Sequence, residues 1–309
     1  MIKFKTKHFL TGAELSRDEL TQLLELGETC RQQRQSSATR RDLNGKTVAL
    51  LFEKPSLRTR VSFSVAIHEL GGFPLVIDSQ GRKKEDPEDT VRVLGGYCHG
   101  IMLRTHGQDT LDRMVAKSTV PVINGLSDTH HPCQAIADLL TLKQRYGELK
   151  GLKLAYIGDG NNVLHSLLML APFLGVDVHY ACPPGFEPNS LVVKSAKQRA
   201  KGGQGSVTAH VDPKAAVQGA NAVYTDVWTS MGFEQEETAR EQAFYDYQLN
   251  ESLYECADSK AAIMHCMPLV REKEITSGMV EHPNAVLFQQ SENRMHAQKA
   301  LLIGLMGVG

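Results

Sequence analysis

The chain has 309 residues, of which 41% are hydrophobic, and 34 Lys and Arg stand against 35 Asp and Glu. At roughly 100–200 residues per domain, this length predicts two domains, each long enough to bury its own core. A formal charge of -1 provides no global field that would attract nucleic acid, so no nucleic-acid partner is expected.

The cysteine pattern and the apolar runs predict a cytoplasmic protein. The 6 cysteines are scattered and form no C-x-x-C pair, which is typical of reduced thiols rather than of a disulfide framework. No apolar stretch approaches the roughly 20 residues that a bilayer-spanning helix needs, and the basic start at Met1 is followed by no signal-peptide pattern. We therefore expect no membrane association.

Short apolar runs alternate with amphipathic stretches along most of the chain, which predicts an α/β fold. The runs are rich in Val, Ile and Leu and alternate only weakly, as in parallel strands buried on both faces. The predicted strands are Thr47–Phe52, Pro74–Asp78, Gly100–Arg104, Val120–Asn124, Leu152–Ile157, Val176–Ala181, Val207–Val211, Ala222–Val227 and Ala261–His265. The helical stretches include Ser56–Leu70, Pro132–Tyr146 and Glu292–Leu305. A domain boundary is predicted at Gly147–Gly151.

The segment F-E-K-P-S-L-R-T-R, residues 52–60, lies where the first strand gives way to a helix. A helix start offers unpaired N–H groups and a partial positive charge. With the hydroxyls of Ser56 and Thr59 and the guanidinium groups of Arg58 and Arg60, it predicts a phosphate or oxyanion site. Taken alone, the segment also fits a capped helix with surface arginines.

Two further segments follow strands on the N-terminal side. His131 and Gln134 lie in H-H-P-C-Q at a helix start, and Arg104 ends the strand G-I-M-L-R. Ligands of open α/β sheets bind beyond the carboxyl ends of the strands, so these side chains are candidate ligand-binding groups. A zinc site is disfavoured because adjacent side chains rarely converge on one tetrahedral ion and no second cluster has ligand spacing.

The segment G-D-G-N-N-V, residues 158–163, imitates a dinucleotide-binding fingerprint but has Val163 where the third glycine belongs. An acidic residue should also end the next strand, whereas Asp177 lies near its start. A polar, amino-acid-like ligand suits the asparagines better than a pyrophosphate, although an NAD-dependent dehydrogenase remains an alternative.

Two more candidates follow later strands. Asp226 begins D-V-W-T-S-M-G and could pair with a ligand ammonium, and Cys266 in H-C-M-P could act as a nucleophile, a base or a positioning group. The other cysteines fit buried thiols better. Near the C-terminus, S-E-N-R predicts a helix capped by Ser291 and Glu292 with Arg294 in its first turn.

Taken in order, these motifs resemble the aspartate/ornithine carbamoyltransferase family over nearly the whole chain. The resemblance rests on S-x-R-T-R, R-T after a strand, H-P-x-Q, G-D-G-N-N, D-x-W-x-S-M-G, H-C-x-P and E-N-R-x-H-A-Q-K-A. It implies two doubly wound α/β domains with mainly parallel sheets, bridged by two interdomain helices and usually assembled into trimers. A carbamoyl-phosphate domain would span 1–147 with the helix 291–309 docked on it, and an ornithine domain would span 148–290.

The resemblance also implies roles for individual residues. Those that would bind carbamoyl phosphate are Ser56, Leu57, Arg58, Thr59, Gln80 (from a neighbouring subunit), Arg104, His131, Gln134, Cys266, Met267 and Arg294. Those that would bind ornithine are Asn162, Asp226, Ser230 and Met231. The catalytic set would be Arg104, His131, Asp226 and Cys266. The implied reaction transfers the carbamoyl group to the δ-amino group of L-ornithine and requires no metal or organic cofactor.

Alternatives to this activity remain at the level of the sequence. Leu57 stands where the ornithine-specific members commonly have threonine, and P-S-L-R-T-R is similar to relatives that use N-acylated ornithine. The intact D-x-W-x-S-M-G favours a free α-amino acid. A catalytically silent relative would be expected to lose Arg58, His131, Asp226 or Cys266, and all are present.

Overall fold

The computed structural model describes residues 3–78, 85–229 and 234–307. Within these residues the helices are α1 Arg17–Gln35, α2 Leu57–Glu69, α3 Pro87–Tyr97, α4 Gln108–Lys117, α5 Pro132–Tyr146, α6 Asn162–Leu170, α7 Ser190–Ala200, α8 Pro213–Val217, α9 Glu237–Phe244, α10 Glu251–Tyr254, α11 Ser277–Val280 and α12 Leu287–Met306. The strands are β1 Thr47–Phe52, β2 Phe73–Asp78, β3 Gly100–Arg104, β4 Val122–Leu126, β5 Lys153–Ile157, β6 Asp177–Ala181, β7 Val207–His210, β8 Ala222–Thr225 and β9 Ala262–His265.

The chain divides into two compact units. The first unit comprises Met1–Leu140 and Glu292–Gly309, and the second comprises Thr141–Ser291. The helices α5 and α12 each contribute residues to both units. None of the helices in the described part of the chain is long and apolar enough to cross a membrane.

Each unit contains one parallel sheet. Among the described residues, the strand order is β2-β1-β3-β4 in the first unit and β7-β6-β5-β8-β9 in the second, and all the neighbouring strands pair in parallel. The prediction of α/β units with parallel sheets is therefore confirmed. In both sheets the chain starts at an inner strand, builds one side, and then crosses to the other. The switch point lies between β1 and β3 in the first sheet and between β5 and β8 in the second.

Strands β1, β3, β5, β8 and β9 are buried along almost their whole length, as expected for strands covered on both faces. The expectation of two-sided burial is wrong for β2 and β7, where most side chains are partly or fully exposed. Both are edge strands, whereas at the opposite edges the chain pairs with β4 at Phe9 and with β9 at Ala285, and those two strands are buried. Apolar runs alone do not distinguish an edge strand from an interior one.

The last helix begins earlier than the sequence predicted. α12 begins at Leu287, so Ser291 and Glu292 lie inside the helix and do not cap it. Arg294 consequently lies beyond the first turn, where its side chain is 3% exposed. The sequence favoured Ser291 because serine followed by glutamate is typical of helix starts.

The burial of two helical leucines predicts very different effects of alanine substitution on the free energy of unfolding. Leu111 on α4 is fully buried in a cluster with Val91 of α3 and Leu103 of β3, whereas Leu191 on α7 is 71% exposed. Leu111→Ala should lower the free energy of unfolding by about 2–5 kcal/mol through lost burial and a cavity. Leu191→Ala, its matched control, should change it by about 0.5 kcal/mol or less. Urea unfolding followed by circular dichroism measures both, and equal effects would contradict the assigned core.

Candidate active site

The first candidate cluster lies in the first unit and follows β1. The chain leaves β1 at Phe52 and begins α2 at Leu57, with Ser56 as the N-cap. Oγ of Ser56 accepts a hydrogen bond from the Thr59 N–H at 3.3 Å, which holds the first turn. Arg58 is half-buried on this turn, and Thr59 is almost fully buried. The turn therefore presents a helix start and a guanidinium at the switch point of the sheet, where open α/β folds bind ligands.

Arg294 connects three elements of this unit. One Nη donates to Oγ1 of Thr59 at 2.7 Å, and the other donates to Oε1 of Gln134 at 2.5 Å. The Nη that donates to Gln134 also lies 3.5 Å from Nε2 of His131. Because Arg294, Gln134 and Thr59 are each at most 3% exposed, these charge-assisted bonds lie in a water-poor environment. α2, α5 and α12 are thus joined at one point.

His131 is a neutral group in this site. Burial, together with the positive charges of Arg294 and Arg104, holds the pKa of His131 well below its ordinary value of 6.5. A neutral imidazole can donate one hydrogen bond and accept another. Arg104 ends β3 on the other side of the switch point and is 8% exposed. Together they provide a cation and a neutral donor beside the helix start.

A second candidate cluster lies in the other unit and centres on Asp226, which directly follows β8. Its carboxylate accepts hydrogen bonds from Nδ2 of Asn161 at 2.7 Å, from Sγ of Cys266 at 2.8 Å and from the N–H of Val227 at 2.8 Å. Asp226 and Cys266 are 5% and 7% exposed. A largely buried carboxylate and a thiol thus meet at the carboxyl ends of β8 and β9.

The turn after β5 aligns Asn161 with Asp226. Gly158 has φ of 134°, a conformation that favours glycine, and Asn161 is the N-cap of α6. Its Oδ1 accepts from the N–H groups of Val163 and Leu164 while its Nδ2 faces Asp226. Asn162, the first residue of α6, is half-buried beside this cap. The helix start and the carboxylate occupy the two sides of the second switch point.

A dinucleotide does not fit the G-D-G turn. A Cβ on Gly160 would lie 2.2 Å from the backbone nitrogen of Pro188, and the Gly160 N–H already donates to the Phe186 carbonyl at 2.9 Å. The neighbouring segment therefore covers the backbone that a pyrophosphate would have to approach. Asp177 pairs with Ser206 at the start of β6, far from the carboxyl end where a ribose-binding acid belongs.

His265 completes a possible metal-binding group with Asp226 and Cys266. One ligand atom from each lies within 4.8 Å of the others. The imidazole is already engaged at both nitrogens, because Nδ1 accepts from the Met267 N–H at 2.8 Å and Nε2 lies 3.1 Å from the Glu274 carboxylate. The histidine thus supports the Cys266–Met267 turn and has no ring nitrogen left for an ion.

The structure brings most of the predicted residues into these two clusters. Ser56, Arg58, Thr59, Arg104, His131, Gln134 and Arg294 lie in the first unit, and Asn162, Asp226, Cys266 and Met267 lie in the second. Leu57 is 72% exposed and can contribute only its backbone to an anion site. Gln80, Ser230 and Met231 lie outside the described residues.

Sequence reasoning missed four supporting residues. Asp138 accepts from Nε2 of Gln134 at 2.8 Å, and Asn161 and Glu274 hold Asp226 and His265 as described above. Arg240 donates to the Asp159 carboxylate at 3.1 Å and to the Trp228 carbonyl at 3.0 Å. Asn161 carried a local signal, the polar residues before α6, whereas Arg240 and Asp159 are 81 residues apart. Asp138 lies four residues from Gln134 and Glu274 nine from His265, but no motif marked either carboxylate.

Comparison with known proteins places the chain among carbamoyltransferases. Residues 7–144 match the family model described as aspartate/ornithine carbamoyltransferase, carbamoyl-P binding domain, and residues 150–305 match the Asp/Orn binding domain. An ornithine carbamoyltransferase of Parafrankia sp. is 49% identical, with 97% of this chain and 96% of that protein covered.

Solved structures agree with the sequence relatives. Ornithine carbamoyltransferase from Pyrococcus furiosus superimposes with a TM-score of 0.96 at 41% identity and covers 100% of both chains. The crystal structure of a mutant N-acetyl-L-ornithine transcarbamylase also matches, with a TM-score of 0.86, 29% identity and coverage of 97% of this chain and 100% of that chain.

Asp159 makes the second unit sensitive to pH. Burial raises the pKa of Asp159 to about 6, with Arg240 opposing the rise and the Asp226 carboxylate adding to it. Because the pKa of Asp159 is higher in the folded state, the folded state binds this proton more tightly than the unfolded state does. The free energy of unfolding should therefore fall as the pH rises from about 4 to about 6. In Asp159→Asn this component should vanish, a difference of roughly 2–3 kcal/mol over that range. Urea unfolding at several pH values tests this, and parallel pH profiles of the two proteins would contradict it.

Proposed function

The chain belongs to the aspartate/ornithine carbamoyltransferase family, and from this premise we propose that it transfers the carbamoyl group of carbamoyl phosphate to the δ-amino group of L-ornithine, giving L-citrulline and phosphate. One observation carries the proposal, namely the opposite charge of the two clusters. A cationic cluster lies beyond the carboxyl ends of the switch-point strands in the first unit, and the Asp226–Cys266 pair lies beyond the carboxyl ends of β8 and β9 in the second. The first suits a phosphate and the second suits an ammonium.

The phosphate of carbamoyl phosphate binds at the start of α2. Ser56, the backbone of Leu57, Arg58 and Thr59 surround it, and Arg294 contributes its guanidinium through the bonds to Thr59 and Gln134. The helix start adds unpaired N–H groups and a partial positive charge. These groups favour a departing dianion, so they stabilise the leaving group as well as the bound substrate.

Arg104 and His131 bind the carbonyl oxygen, and Gln134 binds the carbamoyl nitrogen. Negative charge grows on the carbonyl oxygen as the amine attacks, and one donor at such a position is typically worth about 3 kcal/mol. His131 donates as a neutral imidazole, because its low pKa keeps it uncharged at neutral pH. Its N–H therefore remains available without the cost of burying another cation.

Ornithine binds in the second unit. Asn162, Ser230 and Met231 contact the amino-acid end, while Asp226 and Cys266, with the Met267 backbone, hold the δ-ammonium. That ammonium must lose a proton before it can attack, and a primary alkylammonium of pKa near 10.4 makes this cost about 4 kcal/mol at pH 7.5. The Asp226 carboxylate lowers the cost by accepting the proton directly or through the Cys266 thiol.

The chemical step forms one bond and breaks one. The δ-nitrogen bonds to the carbamoyl carbon, the bond from that carbon to the phosphate oxygen breaks, and the amine loses a proton. No oxidant or cofactor enters this balance.

Each domain binds one substrate in this proposal. Residues 1–147 and 291–309 bind carbamoyl phosphate, and residues 148–290 bind ornithine. The six free cysteines favour a reducing compartment, and we assign the enzyme to the cytoplasm.

The nature of the amine can be tested with a substrate panel. Citrulline-type ureido product is measured with carbamoyl phosphate and ornithine, N-acetylornithine, N-succinylornithine, putrescine or aspartate. We expect ornithine to give the highest kcat/KM. A preference for an acylated ornithine would keep the family and overturn the substrate, and no turnover with any amine would overturn the activity.

Two substitutions should separate the two halves of the site. Arg58→Ala should abolish carbamoyl phosphate binding in calorimetry, whereas Asp226→Ala should retain that binding and lower kcat/KM for ornithine by about 10²–10⁴, because it removes the proton acceptor. Arg92→Ala, an exposed arginine on α3 paired with Asp89, is the control for Arg58. Near-normal turnover of Arg58→Ala would show that the phosphate lies elsewhere.

We propose further that the enzyme is a homotrimer or a multiple of trimers, with Gln80 of one subunit reaching the site of the next. The first unit exposes apolar side chains on its edge strand and on two helices, namely Val61, Phe73, Leu75, Val93 and Tyr97. An exposed apolar edge strand is typical of a subunit contact.

Charge on this surface should dissociate the assembly. Phe73, which is 62% exposed on β2, lies on the proposed contact, and Phe73→Glu should convert trimers to monomers in light scattering coupled to gel filtration. Leu191→Glu on α7 of the second unit, exposed to 71%, should leave the mass unchanged. A wild-type protein that is monomeric or dimeric would overturn the trimer.

A further inference from the structure

The first unit contains a cavity that the proposed reaction does not use. It has a volume of about 530 Å³ and is formed by the end of α1, the segment 37–41, the end of α2 with the following glycines, and Lys299 of α12. Its walls include none of the candidate active-site residues. Since α2 rises about 1.5 Å per residue, Glu69 at its end lies about 18 Å from Leu57 at its start, so the cavity is separate from the phosphate site.

The wall of this cavity carries an excess of positive charge. Arg34, Arg40, Arg41 and Lys299 line it, with Glu69 as its carboxylate. Glu69 accepts from Arg34 Nε at 3.0 Å and from Lys299 Nζ, so one carboxylate serves two cations. Arg40 forms a two-pronged ion pair with Asp42. Within the described residues, Arg41 has no carboxylate within ion-pair distance.

Lys299 is the buried member of this group, whereas Arg34 and Arg41 are exposed. Lys299 is 4% exposed, and a charged lysine is rarely so buried. Although burial opposes it, Lys299 and Arg34 hold the pKa of Glu69 below its ordinary value, so this carboxylate is charged at neutral pH. Cys30 at the same cavity contributes no negative charge, because burial raises the pKa of its thiol to about 11. The four cations of the cavity wall are therefore accompanied by two carboxylates, Glu69 in the wall and Asp42 beside Arg40.

Helix ends do not explain this arrangement. A basic residue in the last turn of a helix offsets the partial negative charge of that end, which accounts for Arg34 on α1. Arg40 and Arg41 follow α1 by several residues, and Lys299 lies in the middle of α12. Three cations from two chain segments therefore converge on the cavity for another reason.

We propose that this cavity binds a multivalent anion of the phosphate class, with a polyphosphate or nucleotide tail held by Arg34, Arg40, Arg41 and Lys299. Guanidinium groups bind phosphate oxygens in pairs, and the volume exceeds that of a single phosphate. Such an anion balances the excess charge that the two carboxylates leave. The site lies beyond the proposed function, because it involves no residue assigned to catalysis.

Calorimetry with inorganic tripolyphosphate tests the proposal on the full-length enzyme. The titration uses the Arg58→Ala background, in which the active-site phosphate position is disabled. We expect one tripolyphosphate per chain, a Kd at least tenfold weaker when Arg41→Glu is added, and a change of less than twofold with Arg92→Glu, an exposed arginine of the same unit. Affinity should also fall as the salt concentration rises.

Failure to bind in the Arg58→Ala background, or equal losses with Arg41→Glu and Arg92→Glu, would overturn the cavity site. Arg41 is exposed, so its substitution should preserve the fold, and Arg41→Gln provides a milder variant should the charge reversal reduce expression. Because binding is measured without turnover, a negative result here leaves the carbamoyltransferase activity untouched, and loss of that activity leaves the cavity site untouched.

Discussion

The hydrogen bonds of the buried Arg294 guanidinium are the interaction on which the candidate cluster of the first unit depends. The guanidinium donates to Thr59 on α2 and to Gln134 on α5 from its own position on α12. A buried cation is costly unless it is fully hydrogen-bonded, so the three helices must keep their mutual register to satisfy it. The same bonds orient Thr59 and Gln134, the hydroxyl and amide that we assign to the substrate.

Strand order explains why two unrelated stretches of sequence form comparable sites. In each sheet two neighbouring inner strands are followed by connections that run to opposite sides of the sheet. In open α/β sheets, ligands bind in the crevice that this leaves beyond the carboxyl ends of the two strands. A helix start follows one strand of each pair, at Ser56 and at Asn161. In the first unit the helix start is capped by the Ser56 hydroxyl and carries Arg58 and the Thr59–Arg294 bond, which suits an anion. In the second, Asn161 uses its own amide to cap the helix and to hold Asp226, which suits a cation.

The sequence predicted those features that depend on neighbours along the chain. All nine predicted strands are found within a few residues, because buried parallel strands are continuous apolar runs. The start of α12 was missed, since a serine within a helix resembles a cap. Arg240 was missed because its partner Asp159 is distant in sequence. Asp138 and Glu274 lie four and nine residues from their partners, and they were missed because nothing local distinguishes them from surface charges. The candidate residues were predictable as motifs, but the bonds that orient them were not.

The near-neutral composition conceals a strong local separation of charge. Arg58, Arg104 and Arg294 lie in the first unit with a histidine whose low pKa keeps it neutral, whereas the second unit presents a buried carboxylate bonded to a thiol. A charged His131 would add a cation to a site that already has several, and burial prevents that. Asp226 would be costly as an isolated buried charge, and three hydrogen bonds offset that cost. The residues of each unit thus carry a charge opposite to that of the substrate group that we propose it binds.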